Sequence, residues 1–269
     1  MSLTEPLVRL HERPGLAEFD LPDDLRRLYG GNMGFPEESL FANFVSTIDG
    51  VVAIPSLQRS NALIADESEA DRFVMGLLRA CADVVLVGCG TVLGSPSGRW
   101  KAGSVFPPLA ESFAELRRRL GHEGDAPVAI VTGRGSVPPD HPVLEGRAIV
   151  LTTQLGADAL RGRLPNAVEI VVVGGQDTVD VVEAVAALRA RGFARILSEA
   201  GPKLFGSLAA AGLVDELFVT VSPLVAGRSP AEQRPGMVEG VSLFPEHRVG
   251  RELLSARLHG NHVFLRYAV

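Results

Sequence analysis

Four short apolar runs, at residues 128 to 131, 148 to 151, 168 to 173 and 195 to 197, are interleaved with helical patterns at 157 to 163 and 178 to 191. This alternation constrains the fold more than any other feature. Strands separated by helices pair in parallel through right-handed crossovers, and the sheet they form is covered by those helices. Residues 41 to 46 and 84 to 87 read as further buried strands. Beyond Gly212 the pattern changes to runs at 217 to 221, 253 to 258 and 262 to 267. Only Gly260 and Asn261 separate the last two, so they read as an antiparallel hairpin.

One crossover carries chemistry. Ile196 to Ser207 reads Ile-Leu-Ser-Glu-Ala-Gly-Pro-Lys-Leu-Phe-Gly-Ser, a strand that turns through Gly201 and Pro202 into a helix. Leu204, Leu208 and Ala211 recur at helical spacing, and Gly212 supplies the stop. The bare N–H groups at such a helix start attract an anion, most often phosphate. Pro202 loses nothing at the first helical position, Lys203 adds a positive charge, and Gly201 and Gly206 admit a close approach by a ligand. An ordinary crossover would share these features. Glu199 likewise has two readings: a group facing a ligand in the crevice at the strand ends, or an anion favourable beside a helix N-terminus.

A chain of 269 residues is long enough for one large or two small domains with a substantial core. Its charge of 26 − 32 = −6 argues against nucleic acid or an anionic membrane as partner, so any anion needs a local site. Cys81 and Cys89 form neither a disulfide framework nor a zinc pattern. With no signal peptide and no apolar run near 18 residues, the expected location is cytoplasmic.

Residues 1 to 39 carry Pro6, Pro14, Pro22, Pro36 and the run 30 to 34, and read as an irregular arm packed on the body or on a second subunit. Leu25, Leu28 and Tyr29 fit one helical turn. After the strand at 41 to 46, Asp49 and Gly50 give a hairpin-type turn into 51 to 54, and 57 to 61 reads as a polar loop. Asp66 can cap the next helix, with Glu69 completing a capping-box pattern. Ala70, Phe73, Val74, Leu77, Leu78 and Cys81 fall on one face of that helix. Arg79 lies off the stripe, where a surface cation near a helix C-terminus is the bland reading. The strand 84 to 87 ends in a glycine-rich turn, 88 to 94, that is not a dinucleotide fingerprint. A loop at 95 to 108 holds Trp100, and Leu109, Phe113, Leu116 and Leu120 mark another helix. Arg134, after Thr132 and Gly133 at a strand end, suits a phosphate or is simply a solvated arginine. The loop 223 to 240, rich in Pro and Gly, is expected to be exposed.

Five ordered motifs give this pattern an identity. Ser46-Thr47-Ile48-Asp49-Gly50, Leu78-Arg79-Ala80, Gly88-Cys89-Gly90-Thr91-Val92-Leu93, Glu199-Ala200-Gly201-Pro202 and Gly212-Leu213-Val214-Asp215-Glu216-Leu217 resemble those of the RibD C-terminal reductases, over roughly residues 40 to 268. The resemblance implies an α/β, dihydrofolate-reductase-like fold: a mostly parallel mixed sheet of eight or nine strands, helices on both faces, and the C-terminal hairpin. It implies residues 40 to 269 as a single reductase domain, usually a homodimer and NADPH-dependent. The implied substrate is 5-amino-6-(5-phosphoribosylamino)uracil, reduced at the ribose C1′. By motif, Gly201, Pro202, Lys203, Leu204, Phe205, Gly206 and Ser207 would hold the cofactor pyrophosphate. Thr91 and Ser95 would lie along the cofactor with the backbone of Val45 beside it, and Thr132, Gly133 and Arg134 would read its 2′-phosphate. Glu199 and Arg79 would face the substrate, Arg79 at its phosphate, with Asp49 as a second catalytic candidate.

The departures concentrate in the substrate half. Val51 stands where members carry a basic residue, and Gly94-Ser95-Pro96 replaces Asp-Asp-Pro. Arg99 or Lys101 can supply the second phosphate contact only if their loop realigns. The serine-rich substrate loop has become Ser60-Asn61-Ala62-Leu63-Ile64, making Asn61 the candidate contact there. No His-x-Glu with Cys-x-x-Cys occurs, so neither the zinc deaminase domain nor a metal site is expected. An apolar loop through Leu63 and Ile64 suits a pterin such as dihydrofolate, with Asp66 pairing to its amidine-like edge. A protein that binds NADPH without catalysis is the third reading.

Overall fold

The computed structural model describes residues 5 to 269. Among these, ten strands form one sheet in the order β1-β9-β10-β8-β2-β7-β3-β4-β5-β6. They are β1 (Val8–Glu12), β2 (Ser39–Ser46), β3 (Val84–Gly88), β4 (Val128–Thr132), β5 (Ala148–Thr152), β6 (Glu169–Val172), β7 (Arg195–Ser198), β8 (Glu216–Val221), β9 (Glu252–His259) and β10 (His262–Ala268). Strands β8, β2, β7, β3, β4, β5 and β6 run parallel, whereas β10, β9 and β1 continue the sheet antiparallel. The sheet is thus mostly parallel, with the C-terminal hairpin in place. It is one strand wider than the upper expectation, because β1 was hidden in the arm.

The helices are α1 (Asp23–Tyr29), α2 (Ser60–Ile64), α3 (Glu69–Cys81), α4 (Cys89–Leu93), α5 (Ala102–Val105), α6 (Ala110–Arg119), α7 (Gln154–Leu160), α8 (Val181–Arg189) and α9 (Pro202–Ala210). Strand residues alternate between faces, and this sorts the core in two. On one face Phe41, Val85, Leu197 and Phe218 meet α1, α3 and α6; on the other, Ala42, Phe44, Leu86 and Ile196 meet α8 and α9. No helix among the described residues is long and apolar enough to cross a membrane.

Residues 5 to 39 depart from the irregular arm expected of them. Strand β1 pairs with β9, and Leu7, Leu21, Leu25, Leu28, Tyr29, Met33 and Phe35 belong to the main core. Arg257 on β9, only 1% exposed, donates from Nε to the Tyr29 carbonyl at 2.8 Å and from Nη2 to the Glu12 carboxylate. The sequence conceals this because β1, Val-Arg-Leu-His-Glu, is an edge strand with no buried apolar face: Val8 and Leu10 are both 57% exposed.

Smaller expectations also change. The cap of α3 is Ser68, whose hydroxyl accepts from the Asp71 N–H; Asp66 sits two residues earlier at φ +52°. The Asp49–Gly50 turn opens no hairpin: Val51 and Val52 are buried in loop conformation, held by Val51 donating to Thr47 Oγ1 and Val52 to the Pro235 carbonyl. Short helices α2, α4 and α5 occupy segments expected to be loops or turns.

Candidate active site

Parallel strands aim their carboxyl ends at one edge, and the chemistry-bearing residues gather there. Glu199 follows β7 and Arg79 is in the last turn of α3. Arg79 donates from Nε to Oε1 at 2.7 Å and from Nη2 to Oε2 at 2.6 Å, and from Nη1 to the Lys101 carbonyl at 3.4 Å. Both side chains are 10% exposed, so the two readings that made them surface groups are set aside. Glu199 does not cap α9, whose N-cap is Gly201 with no side-chain cap. Arg79 is committed to Glu199 rather than standing free for a phosphate.

Two residues missed by the motif reading adjoin this pair. Asp71 on α3 is 4% exposed, with Thr220 of β8 beside its carboxyl. Burial pushes the Asp71 carboxyl up to about 6, opposed by the neighbouring Thr220 hydroxyl and by His262, and reinforced by the nearby Glu199 charge. Its sequence signal was an acid at position 71, on the helical stripe that Val74 and Leu78 continue as apolar. Asn43 is the only residue of β2 that is not buried, although β2 lies inside the sheet between β7 and β8. Alternation with Phe41 and Val45 places Asn43 on the α3 face. Its amide has no hydrogen-bond partner among the described residues. The signal was a polar residue inside an apolar central strand.

The half that the motifs assign to a cofactor is more compact. A Cβ on Gly201 would come within 3.4 Å of Thr91 Oγ1, so the turns after β3 and β7 abut, while a Cβ on Gly90 would meet nothing within 4 Å. Pro202 is at the first turn of α9, and Lys203 is exposed. The residues beyond turn inward. Phe205 packs edge-on against Phe44 with ring centroids 4.9 Å apart, Leu204 joins the α9 core, and the Ser207 hydroxyl donates to the Lys203 carbonyl. Gly206 does not admit a ligand: a Cβ there would stand 3.0 Å from the Glu239 carbonyl and 3.1 Å from Val241. The loop expected to be merely exposed therefore lies against α9 at this point.

At the end of β4, Thr152 Oγ1 donates to the Thr132 carbonyl at 2.5 Å and Thr153 Oγ1 to the Gly133 carbonyl at 2.6 Å. These bonds fix the turn and leave Arg134 exposed, with no ion pair among the described residues. Val45 is buried beside Thr220 in the β2–β8 register, and the Ser95 carbonyl contacts His141 Nε2 at 3.0 Å.

The remaining candidates are occupied or peripheral. Asp49 accepts from Thr47 Oγ1 at 2.6 Å, Ala226 N at 3.0 Å and Gly227 N at 2.8 Å, joining the 47–50 turn to the 223–240 loop. The Thr47 hydroxyl is the main reason its carboxyl drops to about 2, which makes it a latch and a poor proton carrier. Arg99 pairs with Glu145 at the surface. Asn61 and Asp66 are exposed and hydrogen-bond neither Glu199 nor Arg79. Arg59, also unmarked by the motifs, is exposed at the start of α2 without an ion-pair partner among the described residues.

A parallel-sheet enzyme with a buried Arg–carboxylate pair beside a glycine-rich helix start is the class that this fold and edge define. The chain belongs to the RibD C-terminal domain family, which it matches over residues 38–246. A 2,5-diamino-6-ribosylamino-4(3H)-pyrimidinone 5′-phosphate reductase from Archaeoglobus fulgidus is 26% identical over 215 residues, 78% of this chain and 90% of that protein. The riboflavin biosynthesis protein RibD of Mycobacterium tuberculosis is 31% identical over 165 residues, 60% of this chain and 36% of that protein. A pyrimidine reductase-like protein from Corynebacterium diphtheriae shares the fold, with a TM-score of 0.64 at 22% identity over 87% of this chain and 92% of that one. The protein is an oxidoreductase of the reductase kind.

Proposed function

We propose that the protein is an NADPH-dependent reductase of a phosphoribosylaminopyrimidine, of the kind that 5-amino-6-(5-phosphoribosylamino)uracil reductase represents. The observation that carries this reading is the Arg79–Glu199 pair, buried at the carboxyl edge two residues before the Gly201 turn. The donor set suits a dinucleotide: free N–H groups at the start of α9, the Lys203 ammonium, open space at Gly90, and Arg134 at the far turn. NADPH, when bound, supplies the hydride that reduces C1′ as the ribose ring opens. The chain's own part is to hold the ribosylamine between Glu199 and the β2 face and to keep Glu199 oriented through Arg79. Arg59 is the cation available to the substrate phosphate, since Arg79 and Arg99 are already paired. The homodimer implied by the motifs belongs to the same proposal, and light scattering should read twice the chain mass.

The pterin reading loses the carboxylate it called on, because Asp66 is exposed and hydrogen-bonds neither Glu199 nor Arg79. Mixing purified protein with NADPH and either a phosphoribosylaminopyrimidine or dihydrofolate, while following reduced-nicotinamide absorbance, tests the proposal. Oxidation with the phosphoribosyl substrate is expected. Turnover of dihydrofolate alone, or binding of NADPH without any turnover, would overturn it.

A further inference from the structure

We infer that the cavity between α5, α6 and the 123–125 turn is a second ligand site, built for a small organic anion, and that its occupant is felt at the Arg79–Glu199 pair. The cavity holds about 500 Å³, inside the range of roughly 300–1,000 Å³ common for small-molecule sites. Phe113, Ala102 and Ala114 give it an apolar wall, and Lys101, Arg117 and Asp125 bring charge to it. Arg117 is the unusual member. It is 4% exposed, and it donates from Nε to the Gly124 carbonyl at 2.5 Å and from Nη1 to the carbonyls of Ala80 and Ala82 at 3.4 and 2.7 Å. Among the described residues no carboxylate pairs with it, and its Nη2 makes no hydrogen bond. A buried cation without a counter-charge is costly, so a carboxylate that reaches it relieves that cost. The other cations are matched: Lys101 Nζ lies 3.3 Å from Asp125, and Arg118 pairs with Glu111 and Glu115. Glu123, exposed at the rim, repels an anion and so favours the Arg117 side for the ligand's acid group.

Each wall of the cavity also supports the helix that carries Arg79. The Lys101 carbonyl accepts from Arg79 Nη1 at 3.4 Å. Phe113 presses on α3 at Gly76, where a Cβ would stand 2.7 Å from its ring, and it stacks on Phe73 of the same helix. Arg117 grips the end of α3 through Ala80, which follows Arg79, and through Ala82, the C-cap. A ligand that lies on Phe113 and draws on Arg117 and Lys101 therefore loads three supports of one guanidinium. Close-packed interiors transmit such a shift rather than absorb it. A carboxylate on a flat apolar body suits this lining, with the ring against Phe113 and the charge at Arg117. Benzoate is the simplest probe of that kind.

The test is a titration of the protein with benzoate at constant ionic strength, followed by proton–nitrogen correlation spectra. Saturable shifts are expected at 101–103 and 113–117, with the Arg79 Nε–H signal moving at the same midpoint. Chloride at equal ionic strength should produce neither. Ala114→Leu fills the cavity and should abolish both sets of shifts. Lys101→Met should weaken benzoate by about threefold, the worth of one partly exposed ion pair. Lack of saturation, shifts confined to other residues, or binding unchanged in Ala114→Leu overturns the site. Saturation at 101–103 and 113–117 without movement of the Arg79 signal overturns the coupling. Should Ala114→Leu not fold, as judged by its thermal midpoint, Lys101→Met decides, and unchanged affinity there overturns the site. None of these readouts involves turnover, so they stand or fall apart from the reductase reading.

Discussion

Arg79 and Glu199 lie 120 residues apart in the chain and meet through two charge-assisted hydrogen bonds of 2.7 and 2.6 Å, one from Nε and one from Nη2. The fork geometry leaves Glu199 with a single orientation, set by a helix rather than by its own strand. Three elements converge to make it: β7 delivers the carboxylate, α3 the guanidinium, and the Lys101 carbonyl steadies the remaining nitrogen. The carboxylate at the carboxyl edge of the sheet is thereby positioned by the core.

That coupling makes the first prediction. Arg79→Ala leaves a buried carboxylate unpaired and should cost about 3–5 kcal/mol of stability. Glu199→Gln should lose turnover strongly and also some stability, since it strips Arg79 of its counter-charge. The double variant Arg79→Met/Glu199→Leu should cost clearly less than the two single losses combined, as expected for groups in contact. Urea unfolding of all four proteins checks this. Additive costs would mean that the pair does not act as a unit.

The second prediction concerns pH, where two aspartates act with opposite sign. Asp49 titrates near 2 when folded against 3.8 unfolded, so its contribution is present above pH 4 and disappears as pH falls toward 2. Asp71 is the reverse. Its folded value near 6 exceeds 3.8, so the fold favours the neutral acid, and a cost appears as pH rises from about 4 through 6. Asp71→Asn should accordingly stabilise the protein at pH 7, by up to about 3 kcal/mol for some two pKa units, and change little at pH 4. Unfolding free energies at the two pH values decide the point, and stabilisation equal at both would contradict it.

How much of this was legible in the sequence follows the same physics. The parallel half announced itself through alternating runs such as 148 to 151, because doubly covered strands are continuously apolar. The edge strand β1 did not, since Val8 and Leu10 face outward and its partners in β9 lie some 245 residues away. Motifs located Arg79 and Glu199 but not their pairing, which needs tertiary contact between a helix and a strand end. Asp71 and Asn43 belong to none of the five motifs and were visible only as polar residues in apolar patterns. Asp66 drew the capping role because Glu69 follows it by three, yet Ser68 is closer to the first helical turn and took the role.

The third prediction separates packing from ligand binding at Gly206. In a helix interior, alanine is worth up to about 1 kcal/mol over glycine by propensity. Here the added methyl would press on the Glu239 carbonyl at 3.0 Å and Val241 at 3.1 Å, backbone and branched side chain in a loop. Overpacking of this kind costs typically about 1–3 kcal/mol, so the net effect should be destabilising by up to about 2 kcal/mol. NADPH affinity should stay within about twofold, because the methyl points at the loop. A sharp affinity loss with unchanged stability would return Gly206 to the ligand.

The last prediction is cofactor choice. The 132–134 turn is held rigid by Thr152 and Thr153, yet Arg134 itself extends from it exposed and unpaired among the described residues. A rigid turn carrying a free guanidinium suits a phosphate, which accepts two parallel hydrogen bonds from that fork. Such a charge-assisted contact is worth about 1.5–3 kcal/mol when well formed and less where water competes. Arg134→Ala should therefore weaken NADPH by about tenfold and leave NADH nearly unchanged, because NADH has no 2′-phosphate for the guanidinium to hold. Fluorescence titration of both cofactors against both proteins measures it directly. If the unmodified protein binds the two cofactors equally, Arg134 is a solvated arginine and the 2′-phosphate is read elsewhere or not at all.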